Sequence, residues 1–268
     1  MKKQLRKIRG AVLYLLLVVG AIAVVELFLP QSVIVGVIDT GISHHAVPYD
    51  HILVGGNYVN PAKSTDDTDG HGTAMASLIY AAAPDVQMVP LVSNAYADGS
   101  FMQVDSATLA QMIVDAVDQY DCQIIHLGTG LGEDDALVRD AVAYAEAQDV
   151  LVVAPAGNDY AAEGASVYYP AGYDSVLAVG SADKTGTEIS GFSQRGDWVD
   201  LYACGEAVGV LDIDGQPSER DDTACSSAYV TGYAARLLGK EKRLSAQELR
   251  QRILADARSM AGGSKFLP

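Results

Sequence analysis

Residues 32–42, SVIVGVIDTGI, contain a short run of mostly β-branched apolar residues that ends in Asp39 and a glycine turn. Consecutive apolar residues over this length are typical of a strand that is buried on both faces of a parallel sheet. Asp39 would then lie at the carboxyl end of the strand, where open α/β sheets form their ligand sites. Taken alone, an aspartate at this place is more often a capping residue in a tight turn.

The alternation of strand and helix patterns continues along the chain and sets the fold class. Four more strand-like runs lie at residues 86–92, 122–128, 150–157 and 175–182. Helical patterns cover residues 71–84, 106–120 and 134–148, and a last helix starts at the capping box of Ser245 and Glu248. This order predicts an α/β fold with a mainly parallel central sheet and helices on both faces.

The N-terminal segment differs in character from the rest of the chain. Residues 1–10 contain five lysines and arginines and no acid, and residues 11–29 are apolar except for Glu26. A helix over 11–29 would rise about 28 Å, enough to cross the hydrocarbon core of a bilayer. The basic flank predicts a cytoplasmic segment at 1–10, a single-pass transmembrane anchor at 11–29 and an extracytoplasmic domain. The rival interpretation is a signal sequence, cleaved after AIA at 21–23, which would release a secreted protein.

The composition is that of one sizeable acidic domain. A hydrophobic content of 49% supplies one full core, which we place at residues 31–260, with a frayed tail at 261–268. The net charge of −16 argues against nucleic acid as a partner, because like charges repel. Three scattered cysteines, Cys122, Cys204 and Cys225, provide neither a disulfide framework nor metal-ligand spacing, so no metal or cofactor is expected from them.

Three further segments carry residues that could take part in catalysis. His71 lies between two glycines at a predicted helix start, in TDGHGTAMAS (68–77). Asn158 follows a predicted strand, in VVAPAGND (152–159), and an asparagine amide can donate to a developing oxyanion. The stretch RDDTACSSAYVTG (220–232) begins a buried helix where a nucleophile would complete a Ser-His-Asp arrangement. Each of these signals is weak alone, and structural roles are the commoner explanation for each.

Together, the blocks VIDTGI, DGHGTAMAS, APAGN and TACSSAYVTGYAARLL resemble the signature blocks of the subtilisin-like serine peptidases, the subtilases. The resemblance covers roughly residues 33–258, in the Asp…His…Ser chain order of subtilisin. It implies a subtilisin-like three-layer fold in which Asp39 orients the imidazole and His71 acts as general base. Asn158 would donate to the oxyanion, together with a backbone N–H at the helix start.

The resemblance also implies where a peptide would bind. Residues 128–130 fall where the family has the strand that pairs with an extended substrate. The substrate-binding residues would be Gly128, Thr129, Gly130, Ala156 and Gly157. The implied partner is a peptide or a protein.

The chain departs from the family at the nucleophile turn. Alignment on AYVTG places Ala224 at the nucleophile position and Asp222 where the family has glycine. A methyl group cannot attack a carbonyl. Cys225, Ser226 and Ser227 follow on the helix, rotated by about 100°, 200° and 300°, and we expect them to pack inside. Asp222 brings an acid close to the expected oxyanion pocket, which suits catalysis only if its carboxylate points away.

Two functions fit these observations. The first is a membrane-anchored, extracytoplasmic subtilase domain that is catalytically inactive as written, a pseudopeptidase that binds peptides or proteins. The second is an active serine endopeptidase in which engineering exchanged the serine for alanine. A third possibility is an interaction domain without peptidase ancestry. That function would be favoured if His71 lay beyond hydrogen-bonding distance of Asp39.

Calcium is a further candidate ligand, because subtilases often bind it at surface loops. The chain has three acidic clusters, Asp66–Asp69, Glu133–Asp135 and Asp212–Asp214. None has EF-hand spacing, and solvated loop charge is the commoner explanation. Two of the clusters adjoin the expected site, and a groove with such rims would favour basic peptides.

Overall fold

β1 (Ile34–Asp39) is an interior strand of the main sheet and has a parallel partner on each side. The computed structural model describes residues 32–97, 100–241 and 244–268. Val35 and Val37 are buried against the helices on one side of the sheet, and Ile38 is buried on the other side. The buried strand predicted from the apolar run is therefore confirmed.

The predictions for the N-terminus, a cytoplasmic segment at 1–10 and an anchor or signal sequence at 11–29, lie outside the described residues. Within the described ranges, none of the helices has both the length and the apolar character needed to traverse a bilayer.

Twelve further strands follow β1 in the described part of the chain. In chain order they are β2 (Gly56–Asn57), β3 (Gln87–Val92), β4 (Asn94–Ala97), β5 (Ser100–Gln103), β6 (Ile124–Leu127), β7 (Leu151–Pro155), β8 (Val176–Ala182), β9 (Leu201–Cys204), β10 (Val208–Leu211), β11 (Pro217–Arg220), β12 (Arg258–Ser259) and β13 (Lys265–Leu267). The main sheet has the order β12-β13-β9-β8-β7-β6-β1-β3-β2, and only the β12–β13 pair within it is antiparallel. β4–β5 and β10–β11 are separate antiparallel hairpins.

Helices cover both faces of this sheet, as predicted. They are α1 (His71–Ala82), α2 (Ser106–Asp118), α3 (Ala136–Ala147), the short α4 (Tyr160–Glu163), α5 (Thr223–Lys240) and α6 (Ala246–Asp256), with a 3-10 turn at Tyr49–His51. α1, α5 and α6 share one buried hydrophobic cluster with the sheet, and α2 and α3 share another. The result is the predicted α/β arrangement of three layers. The predicted capping box at the start of α6, between Ser245 and Glu248, is also present.

α1 and α5 pack closely against each other at Gly232. A β-carbon at this residue would lie 2.6 Å from Cβ of Ala82 and 2.8 Å from the backbone oxygen of Ile79. The glycine therefore allows a close approach of the two helices. Because both helices begin at the carboxyl edge of the sheet, their packing brings His71 and Thr223 towards the end of β1.

The expected frayed tail at 261–268 is corrected by the structure. β13 (Lys265–Leu267) pairs in parallel with β9, with Phe266 opposite Tyr202. Phe266 and Leu267 are both buried. The glycine-containing segment before these residues looks like a tail in the sequence, but the apolar residues that follow it form a strand of the main sheet. The domain therefore extends beyond residue 260.

Candidate active site

Asp39 and His71 form a hydrogen-bonded pair at the carboxyl end of β1. The Nδ1 atom of His71 lies 2.8 Å and 2.9 Å from the two carboxylate oxygens of Asp39. Asp39 is fully buried, and its Oδ1 also accepts a hydrogen bond from the backbone N–H of Thr40 at 2.7 Å. The predicted proximity of these residues is confirmed. Because Nδ1–H donates to Asp39, the Nε2 atom is the one available for chemistry.

Asp67 fixes the start of α1 and with it the position of His71. Its Oδ1 accepts from the backbone N–H of Gly70 at 2.9 Å. Its Oδ2 accepts from the backbone N–H of Thr73 at 2.8 Å and from the Thr73 hydroxyl at 2.7 Å. This carboxylate is buried, so the expectation of solvated charge at Asp66–Asp69 is wrong for Asp67. The sequence does not reveal this role, since a capping aspartate and a loop aspartate look alike in a run of acids.

Gly128 follows β6 and lies directly against Asp39. A β-carbon at this position would lie 1.7 Å from Oδ2 of Asp39, so the space beside the glycine accommodates the carboxylate. The hydroxyl of Thr129 accepts a hydrogen bond from Nε2 of Gln103 at 2.8 Å, which ties this segment to β5. A β-carbon at Gly130 would lie 3.1 Å from the backbone oxygen of Tyr169. The substrate-pairing role of residues 128–130 stays a prediction.

Asn158 joins the end of β7 to the start of α5. Its Oδ1 accepts from the backbone N–H of Thr223 at 2.9 Å and from the Thr223 hydroxyl at 2.8 Å. The preceding residues of this turn are also held in place. The Gly157 N–H donates to the Thr223 hydroxyl at 3.2 Å, and the buried Ala156 donates its N–H to Val179 of β8 at 2.8 Å. With Oδ1 engaged in this way, the Nδ2 group of Asn158 is directed towards the site.

The Asp222 carboxylate points into the site. Oδ1 of Asp222 accepts from Nδ2 of Asn158 at 2.8 Å and from the backbone N–H of Ala224 at 2.9 Å. Oδ2 makes a long contact of 3.4 Å with Nε2 of His71. The Asp222 side chain therefore contacts three residues that are separated along the chain, His71, Asn158 and Ala224. The sequence does not determine the direction of this side chain.

The electrostatics of the site follow from these contacts. The Asp39 carboxylate raises the pKa of His71 well above its usual value, burial opposes this, and Asp222 adds to the increase. Burial acts against ionisation of Asp222. Its bond to His71, the positive imidazole and the donors at Ala224 and Asn158 nevertheless hold the pKa of this carboxyl below its usual value. Asp39 and Asp222 thus both favour the protonated form of the His71 imidazole.

His126, in β6, is a second histidine and lies beneath the site. The sequence alone does not identify it. Its Nδ1 lies 3.3 Å from the hydroxyl of Thr231, which itself donates to the backbone oxygen of Ser227. Burial lowers the pKa of His126 to about 4, and the Asp39 carboxylate only partly offsets this. The ring is therefore neutral, and its Nε2 has no hydrogen-bond partner within the described part of the chain. A histidine in an apolar strand gives no sequence signal that separates this arrangement from ordinary packing.

The three residues that follow Ala224 carry hydroxyl or thiol groups, and their side chains are buried, as predicted. The hydroxyl of Ser226 donates to the backbone oxygen of Ala203 at 3.1 Å, and that of Ser227 donates to the backbone oxygen of Ala224 at 3.0 Å. Burial raises the pKa of the Cys225 thiol to about 12, which suppresses the reactive thiolate. All three side chains are buried in the first turns of α5.

The acidic clusters engage their own loops and helices. Asp135 caps α3 by accepting from the backbone N–H groups of Leu137 and Val138, and Asp134 pairs with Arg139. Asp212 accepts from the backbone N–H groups of Asp214 and Gln216. In the ranges that the structure describes, no group of three or more His, Cys, Asp or Glu side chains is arranged to hold a metal ion.

The chain is similar to known proteins in sequence and in fold. A family model described as the Subtilase family matches residues 31–266. Subtilisin DY of Bacillus licheniformis is 30% identical over 241 residues, which cover 85% of each chain. Mycosin-4 of Mycobacterium tuberculosis is 30% identical over 279 residues, which cover 85% of this chain and 60% of that relative. Among solved structures, a cold-adapted subtilisin-like serine proteinase has a TM-score of 0.78 at 24% identity and covers 89% of each chain.

Proposed function

The chain belongs to the subtilase family, and from this premise we propose that its domain binds peptides or proteins without hydrolysing them. The family is one of serine proteases, so the ligand class follows from membership. The absence of catalysis is supported by one observation above all. The Asp222 carboxylate that contacts Nε2 of His71 also holds the backbone N–H of Ala224, a residue whose side chain is a methyl group.

Peptide hydrolysis by this family needs a side chain that attacks the carbonyl carbon. A general base removes a proton from a serine hydroxyl, and the resulting oxygen nucleophile forms the acyl-enzyme. Ala224 has no proton that an imidazole can remove. In subtilisin, loss of the nucleophile alone reduces turnover by about 10⁶-fold. The Asp39 and Asp222 carboxylates also raise the pKa of His71, which disfavours the neutral form that a general base requires.

The alternative function is that of an active endopeptidase in which engineering has exchanged the serine for alanine. The intact contact between Asp39 and His71 favours it, as does the orientation of Asn158. Asp222 argues against it, because an active enzyme would hold both an anionic intermediate and this carboxylate in the same small space. We therefore prefer the pseudopeptidase.

The test uses the full chain, purified in detergent, with a mixture of unlabelled peptides. We expect some peptides to be retained on the immobilised protein and recovered intact by mass spectrometry. The control is His71→Ala, which should leave the masses of the recovered peptides unchanged. New termini that appear with the unmodified chain and disappear with the variant would show that the chain is a peptidase.

We further propose that residues 11–29 cross the membrane and anchor the domain on its extracytoplasmic side, with residues 1–10 in the cytoplasm. The support is the pattern of the sequence, an apolar run preceded by five bases. In a bacterial host, the full chain should stay in the membrane fraction after a carbonate wash. Protease added to spheroplasts should digest the domain but spare an N-terminal tag. Release of the full-length mass into the medium would instead indicate secretion.

A further inference from the structure

The Asp222 carboxylate has the contacts that subtilase chemistry reserves for a substrate oxygen. In acyl transfer, preorganised N–H donors stabilise the oxygen of the tetrahedral intermediate. Here the side-chain amide of Asn158 and the backbone N–H of Ala224 both donate to a single oxygen, Oδ1 of Asp222. The second oxygen of the same carboxylate faces Nε2 of His71. One carboxylate thus engages three groups that would otherwise face a ligand.

The backbone explains why this side chain turns inwards. Asp222 is the N-cap residue of α5, with extended backbone angles of φ −163° and ψ 140°. An N-cap carboxylate normally bonds a backbone N–H of the first turn, and the helix dipole stabilises its charge. The bond to Ala224 is that cap. The same oxygen also accepts a hydrogen bond from Asn158, so the Asp222 carboxylate both caps the helix and fills the site. The Asp222 side chain is only 17% exposed.

The neighbouring acid shows that local charge alone does not create this arrangement. Asp221 precedes Asp222, and its Oδ1 accepts a hydrogen bond from the backbone N–H of Ala207 at 2.7 Å. The hydrogen bonds of Asp221 therefore hold a loop, whereas those of Asp222 converge on the site.

We propose that the Asp222 carboxylate is a built-in ligand of an intact anion site, formed by His71, Asn158 and the N–H of Ala224. The site accepts a carboxylate from outside, such as the free C-terminus of a peptide, once the Asp222 side chain is removed. In the unmodified chain this position is closed to the carbonyl of a bound peptide. The inference goes beyond the proposed function, since the anion site exists whether or not the neighbouring groove binds peptides.

The experiment measures acetate binding at His71 by NMR. The full chain in detergent is labelled with ¹⁵N at its histidines, of which the sequence has five, and His71 is assigned from the resonance lost in His71→Gln. In Asp222→Gly, sodium acetate should shift the Nε2 resonance of His71 saturably, whereas sodium chloride at equal ionic strength should not. In the unmodified chain, acetate should leave this resonance where it is.

Two variants keep the test decisive. Asp221→Gly makes the same change one residue earlier, and its response to acetate should match that of the unmodified chain. Asp222→Ser retains a capping hydroxyl, so it reports on the site if the glycine variant does not fold. The proposal would be overturned if acetate caused no saturable shift of the His71 Nε2 resonance in either Asp222 variant. An equal shift in the unmodified chain would also overturn it, because Asp222 would then not occupy the site. Peptide retention is measured separately, so failure of the proposed function remains distinguishable.

Discussion

At the scale of single residues, the chemistry of the site depends on which group faces Nε2 of His71. In an active serine peptidase that group is a neutral hydroxyl, from which the imidazole can take a proton. Here it is the Asp222 carboxylate, which accepts a proton and cannot supply one. Under the proposed function, the side chains at positions 222 and 224 are what set this site apart from that of an active peptidase.

Restoring the nucleophile alone should not restore reactivity. We expect Ala224→Ser to react with a fluorophosphonate probe about 10²–10³-fold more slowly than Ala224→Ser combined with Asp222→Gly, because the donors of Asn158 and residue 224 remain occupied in the single variant. In-gel fluorescence over time measures the labelling rates. Adding His71→Ala to the double variant should abolish labelling. Equal rates for single and double variants would show that Asp222 does not obstruct the site.

The pair of His71 and Asp222 should give stability a defined pH window. The raised pKa of His71 means that its contribution is fully present below the unfolded value of about 6.5 and is lost as pH rises through the raised pKa. The lowered pKa of Asp222 means that its contribution is present above about 3.9 and is lost as pH falls through the lowered pKa. The other titratable groups facing the ring are Asp39 and His126, and the latter is neutral above about pH 4.

Asp222→Asn should therefore reduce the free energy of unfolding most between about pH 4 and about pH 6.5. Urea unfolding of both proteins from acid to alkaline pH measures the difference. Asp221→Asn makes the same change in charge without contacting His71, and its effect should vary little over this range. A difference for the Asp222 variant that stays constant with pH would contradict the pairing.

Residue-level prediction from the sequence succeeded where chain order and residue type were enough. The closeness of Asp39 and His71 was predicted, and so was the inward packing of Ser226 and Ser227. The sequence does not determine the direction of the Asp222 carboxylate. This direction depends on a rotamer set by Asn158, a residue 64 positions away, and no local pattern encodes such a contact.

At the scale of elements, the site depends on how closely α5 approaches α1. His71 starts one helix, and Ala224 lies in the first turn of the other. The two helices pack closely against each other at Gly232. The sequence predicted both helices, but their distance comes from the fit of Gly232 against Ile79 and Ala82, which a helical pattern does not specify.

Gly232→Ala should force α1 and α5 apart. The added methyl group would meet the backbone of Ile79 and Cβ of Ala82, and overpacking of this kind costs about 1–3 kcal/mol. Urea unfolding measures the loss. Gly239→Ala is the matched control on the same helix. There the nearest atom lies 3.9 Å away, and alanine should be neutral or stabilising by up to about 1 kcal/mol. Equal effects at both positions would exclude the crossing as the cause.

At the scale of the whole molecule, the dominant property is a net charge of −16. The acids near the proposed peptide-binding segment at 128–130 include Glu133, whose side chain is exposed. Charges of one sign around a cleft concentrate ligands of the opposite sign, and salt screens this effect over about 10 Å.

Peptides rich in lysine and arginine should therefore bind the full chain more tightly than acidic peptides at low salt. The preference should shrink as salt is added, and fluorescence anisotropy in detergent measures both. Glu133→Gln should weaken the preference, whereas Glu146→Gln, at the far end of α3, should not. Equal affinity of basic and acidic peptides at low salt would refute the charge argument.

β13 has a practical consequence for any shortened form of this protein. A chain cut after residue 260 would lose the strand that pairs with β9 at Tyr202 and Ala203, and the edge of β9 that faces away from β8 would be open. Exposed edges of this kind recruit strands from other molecules. Such a truncated form should accumulate as aggregates, although every residue discussed for catalysis would still be present.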